Sequence, residues 1–410
     1  MRVAIIVGYF LRGRGYQENV WAERLHLQGH QVCVFTTCWT PPGIDHDPEA
    51  PPEPFEMQRL RARRLPKATM LSWSLGRRVA EWQPECILWF GAGQYFGYTL
   101  LRKAGLKDVP VASFFGQCAS QHEFDWTLPG IGPKARLRAF AHHVLRGPII
   151  RAACRRSQLI VANTMQTRPI LLRQFRSDRE REEISRKIVE MPLGFSPDVF
   201  SLDERLRGEV RKELGFDDAA VVICMSSRVT DGKRAMLEQL ITAIKQCLDR
   251  DPRANAMFIG LSDNAPSRYL RQVIESGPSA DRFRGLGFAN RQRLNALYNA
   301  SDIALFGQAS ISCQESLGTG LFVCIGDDGS TSHLISGPDQ GVFFAKNDVA
   351  ALADTLCNSV AAIASHDASD EGRLAFRRQM AEKSQWLSYD RIVSRVMEHL
   401  SEWSVAARGS

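Results

Sequence analysis

Arg2-Val-Ala-Ile-Ile-Val-Gly-Tyr-Phe10, a loop holding Gly13 and Gly15, apolar Val20, Trp21, Leu25 and Leu27, then Gly29-His30 and Val32-Cys-Val-Phe-Thr-Thr37 form the stretch whose reading decides the fold. The first run is continuous, apolar and β-prone, and it has the length of a strand buried on both faces. The middle piece reads as a helix, and Gly29 is a natural stop for it. The last run is a second strand. Strand, helix and strand within about 35 residues make a βαβ unit, whose strands run parallel.

The alternation continues with Cys86–Phe90, Val109–Phe115 and Gln158–Asn163 as further strands, and Asp45 to Pro54 as a Pro-rich loop. A second alternation starts after Met191-Pro-Leu-Gly194. Val221–Ser226, Ala256–Gly260, Ile303–Phe306 and Phe322–Ile325 read as strands, and Met236–Leu248, Val349–Ala361 and Tyr389–Leu400 as helices. A chain of 410 residues suits two domains. The expected architecture is α/β, with two Rossmann-like, doubly wound domains facing a central cleft. Residues 1–193 form the first domain and 194–385 the second, and 386–410 form a helix returning to the first.

Hydrophobic residues at 44% and charged residues at 24% are ordinary for a globular chain and exclude disorder as the main state. No apolar run approaches the roughly 18 residues of a membrane span. Val3 to Leu11 is apolar, but Arg12 and Arg14 follow where a signal peptide would carry small residues. The ten cysteines form no CxxC pair, so no zinc site is expected, and several sit in apolar runs as reduced thiols of a cytoplasmic protein do.

The net charge of +7 is uneven. Met1 to Phe195 holds 28 Lys+Arg against 17 Asp+Glu, or +11, and the remainder 24 against 28, or −4. A basic half suits phospholipid, a lipid diphosphate or nucleic acid; it can also be plain solvated surface. Between Lys134 and Arg146, Leu137, Phe140, Val144 and Leu145 recur at helical spacing, while Lys134, Arg138 and His142 recur at spacing four on another face. Such a helix either packs its apolar face on its own domain or lies on an anionic membrane, joined by Arg61, Arg63 and Arg64. No recognition module accompanies the charge, so nucleic acid is not expected.

Four stretches stand out along the chain. Gly15-Tyr16-Gln17-Glu18 sits at a strand-to-helix turn, where backbone N–H groups can approach an anion or simply make a tight turn. Met191-Pro-Leu-Gly-Phe-Ser-Pro-Asp-Val-Phe200 reads as a linker. Ser227-Arg228-Val-Thr-Asp-Gly-Lys233 places two cations just beyond a strand, where they can neutralise a diphosphate. The fourth comprises Arg284-Gly-Leu-Gly-Phe288, Leu297-Tyr-Asn-Ala-Ser-Asp302 and Glu315-Ser-Leu-Gly-Thr-Gly320.

Taken in that order over nearly the whole chain, these stretches resemble the retaining GT4 family of GT-B glycosyltransferases. The resemblance implies transfer of a sugar from a nucleotide-diphosphate sugar to an acceptor hydroxyl, with retention, without metal or cofactor. It implies that Arg228 and Lys233 stabilise the leaving diphosphate and that Glu315 accepts hydrogen bonds from ribose. The N–H groups of Ile311, Ser312 and Cys313 would hold the diphosphate, and the backbone at Gly287 and Phe288 would read the base. Gly15, Tyr16, Gln17 and Glu18 would face the donor sugar and its phosphates, and His122 would touch the sugar unless it is a surface histidine. The acceptor, a glycan, a lipid-linked glycan or a small molecule, would meet the first domain. The implied location is cytoplasmic, peripheral at the inner face of the membrane if the basic helix docks there.

Some positions depart from the family pattern. Gly307 stands where the first Glu of E-x7-E belongs, Arg234 replaces a Gly, Leu321-Phe322 follows Gly320 where Pro is usual, and His333 stands where many members carry Glu. A catalytically dead sugar-nucleotide-binding scaffold and another GT-B activity, such as a nucleotide-sugar epimerase, therefore stay open. Asp45-His46-Asp47 fits the DxD of metal-dependent transferases but lies in a Pro-rich loop, so a metal is not expected there. There is no P-loop and no GxSxG, and the GxGxxG begun at Gly13 lacks its third glycine.

Overall fold

The computed structural model describes residues 1–13, 15–40, 51–65, 69–116, 132–308, 310–327, 329–365 and 370–408. They fall into two units, Met1–Pro192 with Tyr389–Ser410 and Leu193–Ser388.

The first unit holds β1 (Arg2–Ile6), β2 (Gln31–Thr37), β3 (Glu56–Leu60), β4 (Arg63–Leu65), β5 (Thr69–Leu71), β6 (Cys86–Phe90), β7 (Val111–Phe115), β8 (Leu159–Ala162) and β9 (Ile188–Glu190). Seven of these form one sheet in the order β3-β2-β1-β6-β7-β8-β9, parallel throughout, and β4 pairs with β5 as a separate antiparallel hairpin. Val3 to Ile6 are wholly buried, as a central parallel strand covered on both faces requires. Trp21, from the Gln17–Leu27 helix, meets Phe90 and Phe114 edge-on, and those two rings stack with centroids 4.2 Å apart. Aromatic pairs in these geometries gain energy beyond their buried area. That helix ends where Gly29 turns to φ +80°. The C-terminal helix Tyr389–Arg408 places Tyr389, Ile392, Val393, Val396 and Leu400 in the core that holds Val3, Ile5 and Trp21.

The second unit holds β10 (Val221–Ser226), β11 (Ala254–Ile259), β12 (Phe283–Leu286), β13 (Ile303–Phe306), β14 (Phe322–Gly326) and β15 (Gly341–Phe344), all parallel in the order β12-β11-β10-β13-β14-β15. The Arg234–Arg250 helix buries Leu237, Leu240, Ile241, Ile244 and Leu248 in the core of this sheet, which is the three-and-four spacing of its apolar residues made physical. Asp203, Asn264 and Asn290 cap their helices by accepting from the N–H groups of Leu206, Ser267 and Arg293. The linker residue Phe195 is buried in this unit, and its N–H donates to the Leu387 carbonyl at 3.0 Å.

The strands read from the sequence are present; most ends move by a residue or two, and the first strand, expected to run to Phe10, stops at Ile6. The strand expected from Val109 starts at Val111 and the one expected from Ala256 starts at Ala254. Beyond them the structure adds β3, the β4–β5 hairpin, β9, β12 and β15.

Candidate functional site

The strand order of the second unit reverses between β10 and β13. In open parallel sheets, ligands bind beyond the carboxyl ends of the strands at such a switch point. Three chain segments emerge there: Ser227–Lys233 after β10, Gly260–Leu261 after β11 and Gly307–Gln308 after β13, with Ser310 ahead of the Ile311–Gly318 helix.

Arg228 and Lys233 are brought together. Lys233 Nζ donates to Ser227 Oγ at 3.4 Å. Burial, and then the Arg228 charge, hold the Lys233 ammonium below its ordinary range. Neither cation has an ion-pair partner among the described residues. Two like charges held close without an anion form a site that gains energy by receiving one.

Gly260 makes this turn possible. Its φ is +116°, and a Cβ there would stand 2.4 Å from the Ser227 carbonyl oxygen, so only glycine lets the end of β11 approach the Ser227–Arg228 backbone. The Gly260 N–H also meets the carbonyls of Leu286 and Gly287 at 3.2 and 3.1 Å, which draws the Gly287–Phe288 segment to the same end of the sheet. The Phe288 ring is exposed.

The Ile311–Gly318 helix begins at Ser310, whose Oγ is buried without a hydrogen-bond partner among the described residues. The first N–H groups of a helix have no partner within it and carry partial positive charge, which suits a phosphate. The Cys313 N–H differs from the expectation: it donates to the Ser310 carbonyl at 3.0 Å, leaving Ile311 and Ser312 as the donors of the first turn. The Cys313 side chain is wholly buried, and burial pushes its thiol up.

Glu315 is 7% exposed. Burial pushes its carboxyl up to about 7, against Arg291 and a hydrogen bond with Ser312, which both pull it down. Arg291 is set by a 2.6 Å bond to Ser196 Oγ and lies over the Phe200 ring at 5.8 Å. Gly307 is packed shut: a Cβ would meet Met236 Sδ at 2.6 Å. A glutamate at this position, eight residues before Glu315, would have to displace Met236.

Tyr298, Arg291, Ser310 and Gly260 belong to this site and were not singled out from the sequence. Tyr298 lies within a quoted motif, but nothing in its spacing announces that its hydroxyl reaches Ser226 Oγ at 2.7 Å. Arg291 carries no sequence signal at all.

In the first unit, Gly15 is buried at φ +63° and Tyr16 precedes the helix in an extended conformation. Gln17 Oε1 accepts from Asn163 Nδ2 at 2.9 Å, which joins the helix start to the end of β8. Asn163 Oδ1 is buried with no hydrogen-bond partner among the described residues. Glu18 stands in the first helical turn, and burial pushes its carboxyl up to about 7 against its own backbone N–H. His122 and Asp45-His46-Asp47 lie outside the described residues.

Residues 207–359 match the family model described as "Glycosyl transferases group 1". No curated protein matches the chain. Among solved structures, the fold is similar to a sucrose-phosphate synthase from Thermosynechococcus elongatus, at 16% identity and a TM-score of 0.68 over 99% of each chain. It is similar to HepE of Anabaena in complex with UDP and glucose, at 12% identity and a TM-score of 0.64 over 98% of this chain and 99% of that one. It is also similar to WaaG, a glycosyltransferase involved in lipopolysaccharide biosynthesis, at 14% identity and a TM-score of 0.64 over 96% and 98%. The chain therefore has the GT-B fold of glycosyltransferases, and its residues 207–359 match glycosyl transferases group 1.

Proposed function

We propose that this protein transfers a sugar from a nucleotide-diphosphate sugar to an acceptor hydroxyl, with retention at the anomeric carbon and without a metal. The observation that carries this reading is the Arg228–Lys233 pair at the switch point of the second unit, two close cations with no anion of their own. As the bond between the anomeric carbon and the diphosphate breaks, negative charge grows on the departing oxygen. Fixed cations and helix N–H groups stabilise that charge more in the transition state than in the bound substrate. The acceptor oxygen bonds to the anomeric carbon and its proton passes to the departing diphosphate, which balances the exchange.

Glu315 is assigned to the ribose, the Gly287–Phe288 backbone to the base, and Ile311 and Ser312 to the phosphates. The acceptor is assigned to the first unit, and Gly15–Glu18, with Gln17 bonded to Asn163, to the donor sugar and its phosphates. Solved structures of similar fold hold UDP or UDP-glucose, so UDP-sugars are the first donors to test.

A panel of UDP-, GDP- and ADP-sugars incubated without acceptor tests the reading. Slow release of free sugar from one donor, lost in Lys233→Ala, is the expected outcome. The closed position at Gly307 favours a second reading, a sugar-nucleotide-binding protein without transfer. Tight donor binding with no turnover on any acceptor would establish that reading instead.

A further inference from the structure

Two helices of the second unit bring thiols together. The Arg234–Arg250 helix carries Cys247, and the Val349–Ser365 helix carries Cys357. Both residues pack in the core that also holds Cys324. The Cys247 and Cys357 thiols share a hydrogen bond, so their sulfurs are in contact although they lie far apart along the chain. An exposed ion pair joins the same two helices, with Arg250 Nη1 2.6 Å from Asp354 Oδ1. Arg250 follows Cys247 by three residues and Asp354 precedes Cys357 by three, so on each helix the thiol and the charged residue share a face. Arg250 also donates to the Cys357 sulfur.

The two thiols differ in access. Cys247 is wholly buried; burial, and after it the Cys357 thiol, push the Cys247 thiol up, so it stays protonated. Cys357 is half-buried, in contact with the surface residue Arg250 on one hand and with Cys247 in the core on the other. Cys324 is wholly buried as well, and its thiol meets Ser359 Oγ at 3.7 Å. An oxidant arriving from solvent therefore meets Cys357 first, and Cys247 is the thiol placed to follow. Core packing accounts for Cys247 and Cys324 as small apolar residues. It gives no role to an outer thiol that touches both a guanidinium and a second thiol.

We infer that Cys247 and Cys357 form an oxidisable pair that closes, in the presence of hydrogen peroxide, to a disulfide joining the Arg234–Arg250 and Val349–Ser365 helices. The Cys357 sulfur attacks one peroxide oxygen. An S–O bond forms, the O–O bond breaks, and the departing hydroxide takes the thiol proton, which leaves water and a sulfenic acid. The Cys247 sulfur then attacks the Cys357 sulfur. The S–S bond forms, the S–O bond breaks, and the departing hydroxide takes the Cys247 proton, so no thiolate has to be stored in the core. In all, two thiols lose two electrons and one peroxide is reduced to two waters. A dithiol reverses the closure. The Arg234–Arg250 helix starts directly after Lys233, so the link fastens the helix that follows the proposed diphosphate site. The inference does not depend on the transfer reaction, and it is tested without nucleotide.

The experiment treats the reduced full chain with hydrogen peroxide, alkylates the remaining thiols under denaturing conditions and maps the peptides by mass spectrometry. The expected result is a Cys247–Cys357 linked peptide pair formed within one molecule and lost after dithiothreitol. In Cys247→Ala the sulfenic acid at Cys357 has no partner, and its capture by dimedone should rise at least about tenfold over wild type. In Cys357→Ala, Cys247 should stay reduced. Unchanged melting temperatures verify that the variants fold, and the wild-type peptide map decides by itself if one does not. The exposed Cys38 shows in the same digest that the oxidant reached the protein. Oxidation of Cys38 while Cys247 and Cys357 both remain alkylatable overturns the inference. So does oxidation of Cys357 to the sulfinic acid with Cys247 still reduced, or a linked pair that forms only between molecules or only above the unfolding temperature.

Discussion

The Tyr298 hydroxyl lies 2.7 Å from Ser226 Oγ and donates to the Ser312 carbonyl at 3.4 Å, so one wholly buried phenol joins the last residue of β10 to the first turn of the Ile311–Gly318 helix. The turn carrying Arg228 and Lys233 leaves from the first of these, and the N–H groups proposed for the phosphates sit on the second. Burial keeps the hydroxyl protonated far beyond its ordinary range, reinforced by the nearby Glu315 carboxyl. Tyr298→Phe should cost roughly 1–3 kcal/mol of stability, because it leaves buried partners unsatisfied. The readout specific to the site is the rise in melting temperature on adding UDP, which should shrink in the variant. A full-sized rise would mean that Tyr298 serves folding alone.

Removing either cation of the Arg228–Lys233 pair should cost on the order of 3 kcal/mol at the transition state, or about 10²-fold in turnover. Binding of the free nucleoside should change little, since it has no phosphate to lose. Lys233→Ala with full turnover would place the diphosphate elsewhere.

Asp302 ends the motif that begins at Leu297, and its role is structural. It accepts from Arg207 at 2.8 Å, from Arg211 at 3.3 Å and from the Val222 N–H of β10 at 2.8 Å. Burial alone would raise its carboxyl, but Arg207, Arg211 and Arg377 outweigh that and hold it well below the usual range. A carboxyl depressed in the folded state gives stability that is full above its unfolded value of about 4 and is lost as the pH falls towards the folded value. Asp302→Ala should cost about 3–5 kcal/mol by stranding buried arginines. Denaturant melts of the wild type and of Asp302→Asn, between neutral and acid pH, check this; the variant should lose part of the acid-side slope.

Much of this molecule was legible in advance, for identifiable reasons. The central strands β1, β10 and β13 are buried on both faces and so appear as unbroken apolar runs. The strand β3 at one edge of the first sheet is Glu-Met-Gln-Arg-Leu, only partly covered, and its polar residues hide it. The three-residue β9 and the glycine-containing β12 and β15 are too short to declare a period. Arg228 and Lys233 stood out because cations just beyond a strand have a chemical reason to be there, and Glu315 because it falls on the second Glu of the E-x7-E pattern that the chain resembles. Arg291 and the Gln17–Asn163 bond did not, because they join residues far apart along the chain, and only folding brings those together. The glycine at 307 was visible as a departure, and its cause, Met236 filling the space, was not.

Glu315 supplies the last prediction, and its sign is opposite for stability and for binding. Its carboxyl is raised from an ordinary value of 4.5 to about 7 by burial, against Arg291 and Ser312. The folded protein therefore holds a proton that the unfolded chain gives up near pH 4.5. The resulting stability is full below that value and is lost as the pH rises through about 7, by up to about 3 kcal/mol. Ribose hydroxyls donate hydrogen bonds, so the nucleoside selects the ionised carboxylate. One pH unit below a pKa near 7, only about a tenth of the protein is ionised, and uridine should bind roughly tenfold more weakly at pH 6 than at pH 8. Uridine is the right probe because a phosphate group titrates in the same range. Glu315→Gln should remove the Glu315 share of the stability slope, leaving that of the buried Glu18, and its weaker uridine affinity should no longer respond to pH. Calorimetric titration of both proteins across that range decides the matter. An affinity slope that survives in Glu315→Gln, or none in the wild type, would remove Glu315 from the ribose.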